Sequence, residues 1–178
     1  MATSISGSAT CGSGESMPSP EFKNPLSIYH VLANADVPFV IIGGHAVAFH
    51  GYVRTTEDAD IVFRRSPTAE TNLLRSLESI HACWVSDEQD PATGLERLVP
   101  VSSSYLNAQH LLMLSTDLGF LDVYDYIPGF PETPVDELFA ESVVAGQLRF
   151  VSLHWLRRLK QSAARHKDLD DLEHLPPA

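Results

Sequence analysis

Apolar positions along this chain recur in two rhythms. From Asn24-Pro25 onward, Leu26, Tyr29, Leu32 and Ala33 fall at helical spacing. Proline directly after an asparagine predicts a helix opening at Pro25 and stopped by Asp36 to Pro38. Phe39 to Ile42 is a short unbroken apolar run, which predicts a buried strand. Gly43-Gly44 breaks it, and His45 to Gly51 predicts a short helix; Asp58 to Phe63 predicts the next strand. Ser66-Pro67 caps a helix to about Ala82, with Leu73, Leu77 and Ile80 on one face and Cys83 following it. Arg97 to Val101 predicts a strand, and Leu111 to Ile127 two strands around the turn Thr116 to Gly119. Pro134 to Ser142 predicts a short helix, and Val143 to Ser152 a hairpin over Ala145-Gly146-Gln147. Leu153 to Ala164 and Lys167 to Leu175 predict two helices with Arg165-His166 between them. Strands and helices interleave while hairpins interrupt any regular βαβ rhythm. The expected class is therefore α/β (α+β): a mixed β-sheet with helices packed on it.

Composition narrows the setting. With 178 residues, 44% of them hydrophobic, the chain has the size and apolar content of one domain, read here as 25–178. Residues 1–24 are mostly Ser, Gly, Thr and Pro and cannot bury enough surface to offset ordering, so a disordered tail is expected there. That segment lacks the basic start and apolar stretch of a secretory signal, and no apolar run approaches the roughly 18 residues of a membrane span. Two cysteines, Cys11 and Cys83, make neither a disulfide framework nor a zinc pattern, and a cytoplasmic setting is expected. A formal charge of −11 repels nucleic acid except where a local basic patch forms. Arg157, Arg158, Lys160, Arg165 and Lys167 cluster near the C-terminus and offer such a patch.

One stretch carries most of the candidate chemistry. Arg54 to Phe63 reads R-T-T-E-D-A-D-I-V-F, with acids running straight into apolar residues. Strand alternation puts Asp58 and Asp60 on one face and Ala59, Ile61 and Phe63 on the other. Carboxylates about 7 Å apart on one face repel unless they lie in water or a cation sits between them. Three features favour the cation over a merely solvated strand start. Gly43-Gly44 allows a phosphate to approach the backbone before a helix. Asp122, between Leu121 and Val123, is a third carboxylate in an apolar strand, while alternation puts its rival Asp125 on the opposite face. The basic cluster supplies counter-charge; Lys160 and Lys167 share a face if one helix runs through and otherwise flank a turn. Together these residues are suited to one or two Mg²⁺ ions on carboxylate oxygens and to a triphosphate cradled by the glycines.

The run V-I-I-G-G-H-A-V-A-F-H-G-Y-V-R-T-T-E-D-A-D-I-V-F resembles the signature of the polymerase-β-like nucleotidyltransferase superfamily. There a Gly-Gly or Gly-Ser turn precedes an Asp-x-Asp strand, and a third Asp follows on a later strand. The ending L-R-R-L-K-Q-S-A-A-R-H-K-D-L-D-D-L is similar to the close of small bacterial members, the minimal and toxin–antitoxin or abortive-infection types. The likeness spans about 38–175. It implies a nucleotidyltransferase fold, with Asp58, Asp60 and Asp122 as catalytic metal ligands, the last also able to help deprotonate the acceptor. Gly43 and Gly44 would bind phosphate, Lys160 would contact it, and Arg54, Arg165 and Lys167 would be further nucleotide contacts. Asp168 and Asp171 are read as surface acids pairing with nearby cations, and His45 and His50 as packed or capping. The implied activity is Mg²⁺-dependent transfer of a nucleoside monophosphate from a nucleoside triphosphate to a hydroxyl of a partner protein, a tRNA or a small molecule, within a toxin–antitoxin system. The alternative is a nucleotide-binding regulatory module without turnover, antitoxin-like in role.

Overall fold

The computed structural model of the chain describes residues 24–89, 91, 94 and 96–177. The tail expected over 1–24 lies outside the described residues, except Asn24, whose side chain accepts a 3.2 Å hydrogen bond from the Leu26 N–H and caps the first helix. That helix is α1 (Pro25–Asn34), and the chain continues through β1 (Phe39–Ile41), α2 (Gly43–Phe49), β2 (Asp58–Phe63) and α3 (Pro67–Ser79). Next come β3 (Cys83–Gln89), β4 (Glu96–Pro100), α4 (Ser103–Ala108), β5 (Leu111–Thr116) and β6 (Gly119–Tyr124). The last elements are α5 (Val135–Ala140), β7 (Val143–Ala145), β8 (Leu148–Phe150), α6 (Leu153–Ala163) and α7 (His166–His174). No helix among the described residues is long and apolar enough to cross a membrane.

All eight strands join one mixed sheet in the order β4-β3-β5-β6-β2-β1-β8-β7. The β2–β6 and β1–β8 pairs are parallel, and the others are antiparallel. Helices pack on both faces, as the interleaved pattern predicts. On one face α1 and α3 bury Ile28, Tyr29, Leu73 and Leu77 against Ile61, Phe63, Leu112 and Leu121. On the other, α2, α5 and α6 bury Val47, Leu138, Trp155 and Leu156 against Val40 and Val62. Alternation along β2 divides as expected: Ala59, Ile61 and Phe63 go to the first core, while Asp58 and Asp60 share the second face with Val62.

The helices of the second face cover only half of it. Over β6, β5, β3 and β4 the corresponding positions hold Phe120, Met113, Val85 and Leu98, and these are 49%, 63%, 50% and 60% exposed.

Several local expectations need correction. The helix from Ser66 ends at Ser79, His81 turns at a φ of 49°, and Cys83 opens β3. That strand was not anticipated, because S-D-E-Q reads as polar loop; antiparallel pairing with β4 and contact with β5 hold it extended. Helix α4 was also unanticipated; Ser102 caps it by accepting from the Tyr105 N–H at 3.2 Å. Leu26 is 46% exposed, so the apolar stripe of α1 is Ile28, Tyr29 and Leu32. Lys160 and Lys167 flank a turn: α6 ends at Ala164, which is left-handed, and α7 starts two residues on.

Candidate active site

Parallel pairing of β2 with β6 sets Asp60 directly beside Asp122, and Asp58 beside Phe120. Neighbouring strands lie about 4.8 Å apart, so two carboxylates 62 positions apart in sequence become lateral neighbours. Asp58, one pleat away, points to the same face. All three line a cavity of about 130 Å³, which Gly43, Gly44, Arg54, Lys160, Arg165 and Lys167 also line. The nine candidate residues of the sequence are thus gathered around one concavity. Asp125 is not among them; its carboxylate takes a 2.5 Å hydrogen bond from Arg65 and lies beside His110.

The acids are crowded. Burial, then the charge of Asp58, pushes the Asp60 carboxyl above the ordinary range, partly countered by Lys160, Lys167 and Arg165. Burial, then Asp60 and Asp58, pushes Asp122 up to about 6. Tyr124, on the cavity wall, is pushed up to about 12 by burial and by Asp122. In each case burial comes first, and neighbouring carboxylates add to it.

The donor set decides whether a divalent cation would fit. Among the described residues, no three His, Cys, Asp or Glu side chains form a group that could hold a metal alone. Mg²⁺ rarely needs such a cage; it is bound through one or two carboxylates together with substrate phosphates and water. Hard oxygen donors, adjacent on two strands and under-compensated in charge, fit that open arrangement.

The glycines have a steric reason that the sequence does not announce. They form the first turn of α2, and the Ile42 N–H bonds the Asp60 carbonyl at 3.0 Å, laying this turn over β2. A Cβ on Gly43 would stand 2.6 Å from the Asp60 carboxyl carbon, and one on Gly44 2.5 Å from the Thr56 hydroxyl. Gly43 also has a φ of +64°, the left-handed region that favours glycine. The pair therefore lets Asp60 and Thr56 lie directly beneath the turn. Helix α2 has only two turns, so its dipole adds little.

The basic residues differ most from expectation. Asp168 and Asp171 are not surface acids but fully buried. Lys160, itself 4% exposed, donates to Asp168 at 2.9 Å and reaches Asp171 at 2.8 Å. Arg54 donates two hydrogen bonds to the Asp171 carboxylate, at 2.6 and 2.9 Å. Arg165 donates to Asp168 at 2.7 Å from its side chain and at 3.3 Å from its backbone N–H. Burial alone would raise both acids, but hydrogen bonds from Arg165 and Lys160 to Asp168, and from Arg54 and Lys160 to Asp171, hold both below the ordinary carboxylate range. Among the described residues no carboxylate is paired with Lys167, which is exposed at the cavity rim. A sequence signal for the buried acids existed: on α7 and just beyond it the buried positions are Asp168, Asp171 and Leu175, an i, i+3, i+7 stripe, while Leu169 is exposed. Both histidines are packed, as read: His45 Nδ1 lies 3.0 Å from the Tyr29 hydroxyl, and His50 Nε2 donates to the Val151 carbonyl at 2.8 Å.

No protein-family model matches the chain, and no curated protein does. Among solved structures it is similar to JHP933 from Helicobacter pylori, at 16% identity and a TM-score of 0.43, over 83% of this chain and 62% of that one. It is also similar to an antigenic nucleotidyltransferase-like protein from Paracoccidioides brasiliensis, at 20% identity and a TM-score of 0.45, over 83% and 72% of the two chains. The chain spans less than two thirds of the length of the first. Likeness of this degree leaves the chemistry to be argued from the cavity.

Proposed function

We propose that the protein is a Mg²⁺-dependent nucleotidyltransferase that moves a nucleoside monophosphate from a nucleoside triphosphate to a hydroxyl acceptor. The observation that carries this reading is the gathering of Asp58, Asp60 and Asp122 opposite Arg54, Lys160, Arg165 and Lys167 around one cavity. Three of these cations also compensate the buried Asp168 and Asp171, whereas Lys167 has no carboxylate partner among the described residues.

Asp60 and Asp122 would hold Mg²⁺, with Asp58 completing the acidic wall. When bound, the ion neutralises phosphate charge and stabilises the departing pyrophosphate. The chain's own residues do the rest. Lys167, exposed at the cavity rim, and the outward face of Arg165, held in place by Asp168, meet the β- and γ-phosphates. Lys160 has three donors and spends two on Asp168 and Asp171, leaving one for the cavity. Arg54 acts through the buried acids as a positioning residue. The acceptor hydroxyl gives up its proton to Asp122, which lines the cavity beside Asp60.

A second reading has one observation in its favour: Lys160 and Arg54 are already engaged by buried carboxylates, as in a module that binds nucleotide without turning it over. One experiment separates the two. Wild type and Asp60→Asn are incubated with Mg²⁺, each α-labelled nucleoside triphosphate and a lysate. Mg²⁺-dependent label on an acceptor, absent with Asp60→Asn, supports the enzyme. Calorimetric binding of nucleotide without transfer supports the module, and neither binding nor transfer sinks both.

A further inference from the structure

The carboxylate row has a second side. Asp58 and Asp122 also line a separate cavity of about 260 Å³, walled by Val85, Met113, Ser115 and Phe120. Register explains the grouping. Met113 pairs with Asp122 across β5–β6, Ser115 with Phe120, and Val85 with Leu98 across β3–β4. All lie on the part of the face over which no described helix packs, and the four large apolar side chains there are each about half exposed or more. An apolar strip of this extent marks an interaction site. From Phe120 on β6 to Leu98 on β4 it crosses three strand spacings, about 14 Å. That is longer than a sugar-sized acceptor requires and suits an extended polypeptide segment.

Charge selects the kind of segment. Arg54, Lys160, Arg165 and Lys167 line the first cavity. Among the described residues the second is lined by two carboxylates and no basic side chain. A polyanion laid along this strip would set its phosphates against these two carboxylates, with no basic side chain among the described residues that line the cavity. A basic segment meets complementary charge.

We infer that the bare strip of β6, β5, β3 and β4 docks a basic polypeptide segment and brings one of its side-chain hydroxyls to the carboxylate row. The inference rests on the nucleotidyl-transfer reading for the chemistry, but not for the docking. The hydroxyl oxygen bonds to the α-phosphorus of the triphosphate. The bond from that phosphorus to the bridging oxygen breaks, and pyrophosphate leaves with the electron pair. The hydroxyl proton passes to Asp122, which borders both cavities.

The test has two arms. In the first, without nucleotide, a fluorescent lysine–tyrosine copolymer is titrated with wild type, with Met113→Lys plus Phe120→Lys, with Met113→Ser plus Phe120→Ser, and with Glu132→Lys. Glu132 is exposed and lines neither cavity, and its change alters net charge as much as the double lysine variant does. Melting curves establish that each variant is folded. Binding at least tenfold weaker in the lysine pair and several-fold weaker in the serine pair, with Glu132→Lys near wild type, is the expected result. Equal binding by the lysine pair, or an equal loss in Glu132→Lys, overturns the dock. The second arm adds Mg²⁺ and labelled nucleoside triphosphates. Label is expected on the lysine–tyrosine copolymer and not on a glutamate–tyrosine copolymer or bulk tRNA; the reverse preference overturns the inference. Docking that obeys the first arm with no transfer to any probe leaves the dock standing and removes the nucleotidyl-transfer reading instead.

Discussion

The face of the sheet that carries the acids has two unlike halves. Over β2, β1 and β8 it is roofed by α2, α5 and α6, and beside that roof Lys160, Arg54 and Arg165 hold the fully buried Asp168 and Asp171. Over β6, β5, β3 and β4 no helix among the described residues packs on it, and Met113, Val85, Leu98 and Phe120 are about half exposed or more. Asp60 and Asp122 lie on the seam, one on each side of the β2–β6 pair. The roofed half provides ordered positive charge in low dielectric, where electrostatic interactions are strong. The open half leaves a path by which a second molecule can reach the same acids. Reactions that join two substrates need both conditions within one cavity's width.

Breaking the roofed half should have the largest effect on stability. Lys160→Met leaves Asp168 and Asp171 buried with less compensation, at a cost of about 3–5 kcal/mol, read from chemical denaturation. If stability is unchanged, the network does not hold the roof. At the seam the sign of the effect on stability reverses while activity collapses. Asp60→Asn should lower nucleotidyl transfer on the order of 10³-fold, since several kcal/mol of transition-state stabilisation are lost, yet its melting temperature should not fall. Gly43→Ala combines a left-handed backbone with contact against Asp60, and should cost about 1–2 kcal/mol in stability together with most of the activity. A Gly43→Ala protein that melts and turns over like wild type would refute the close packing described above.

Acidity distinguishes the seam from the roof. Asp168 and Asp171 have lowered values in the folded state, so their contribution is present above about pH 4, the unfolded value, and is lost as pH falls below it. Asp122 and Asp60 are raised. Their folded state is favoured below about pH 4, and that advantage is lost as pH climbs toward about 6 for Asp122. Without metal, Asp122→Asn should therefore be more stable than wild type above pH 6, by about 1 kcal/mol after discounting for a half-exposed carboxylate. The difference should shrink toward pH 4. Melting curves from pH 3 to 8 would show it, and a difference that is constant across that range would refute the crowding. The smallest effect belongs to the open half: Met113→Ser should shift stability by no more than about 0.5 kcal/mol, because 63% of that residue is already exposed.

Much of this was legible in the chain because it is local. Six residues from Asp58 to Phe63 state their own strand and its two faces through alternation. Asn24-Pro25, Ser66-Pro67 and Ser152 set helix starts through caps that act over three residues. The two strands around Thr116 to Gly119 follow from a turn between apolar runs. The nine candidate residues follow from residue type, spacing and the family resemblance together, and every one borders the same cavity. Strand β3 was hidden because S-D-E-Q carries no strand signal of its own and is extended only through its neighbours.

The sequence by itself determined most of the elements, the two faces of β2 and which residues could do charge chemistry, since these depend on neighbours within a few positions. Only the tertiary structure decided that Asp60 stands beside Asp122, because parallel register between distant strands is a property of the whole sheet. It also decided that Asp168 and Asp171 are buried. A carboxylate is driven to the surface unless cations go inside with it, and those cations come from residues 54, 160 and 165, which meet only once the chain is folded.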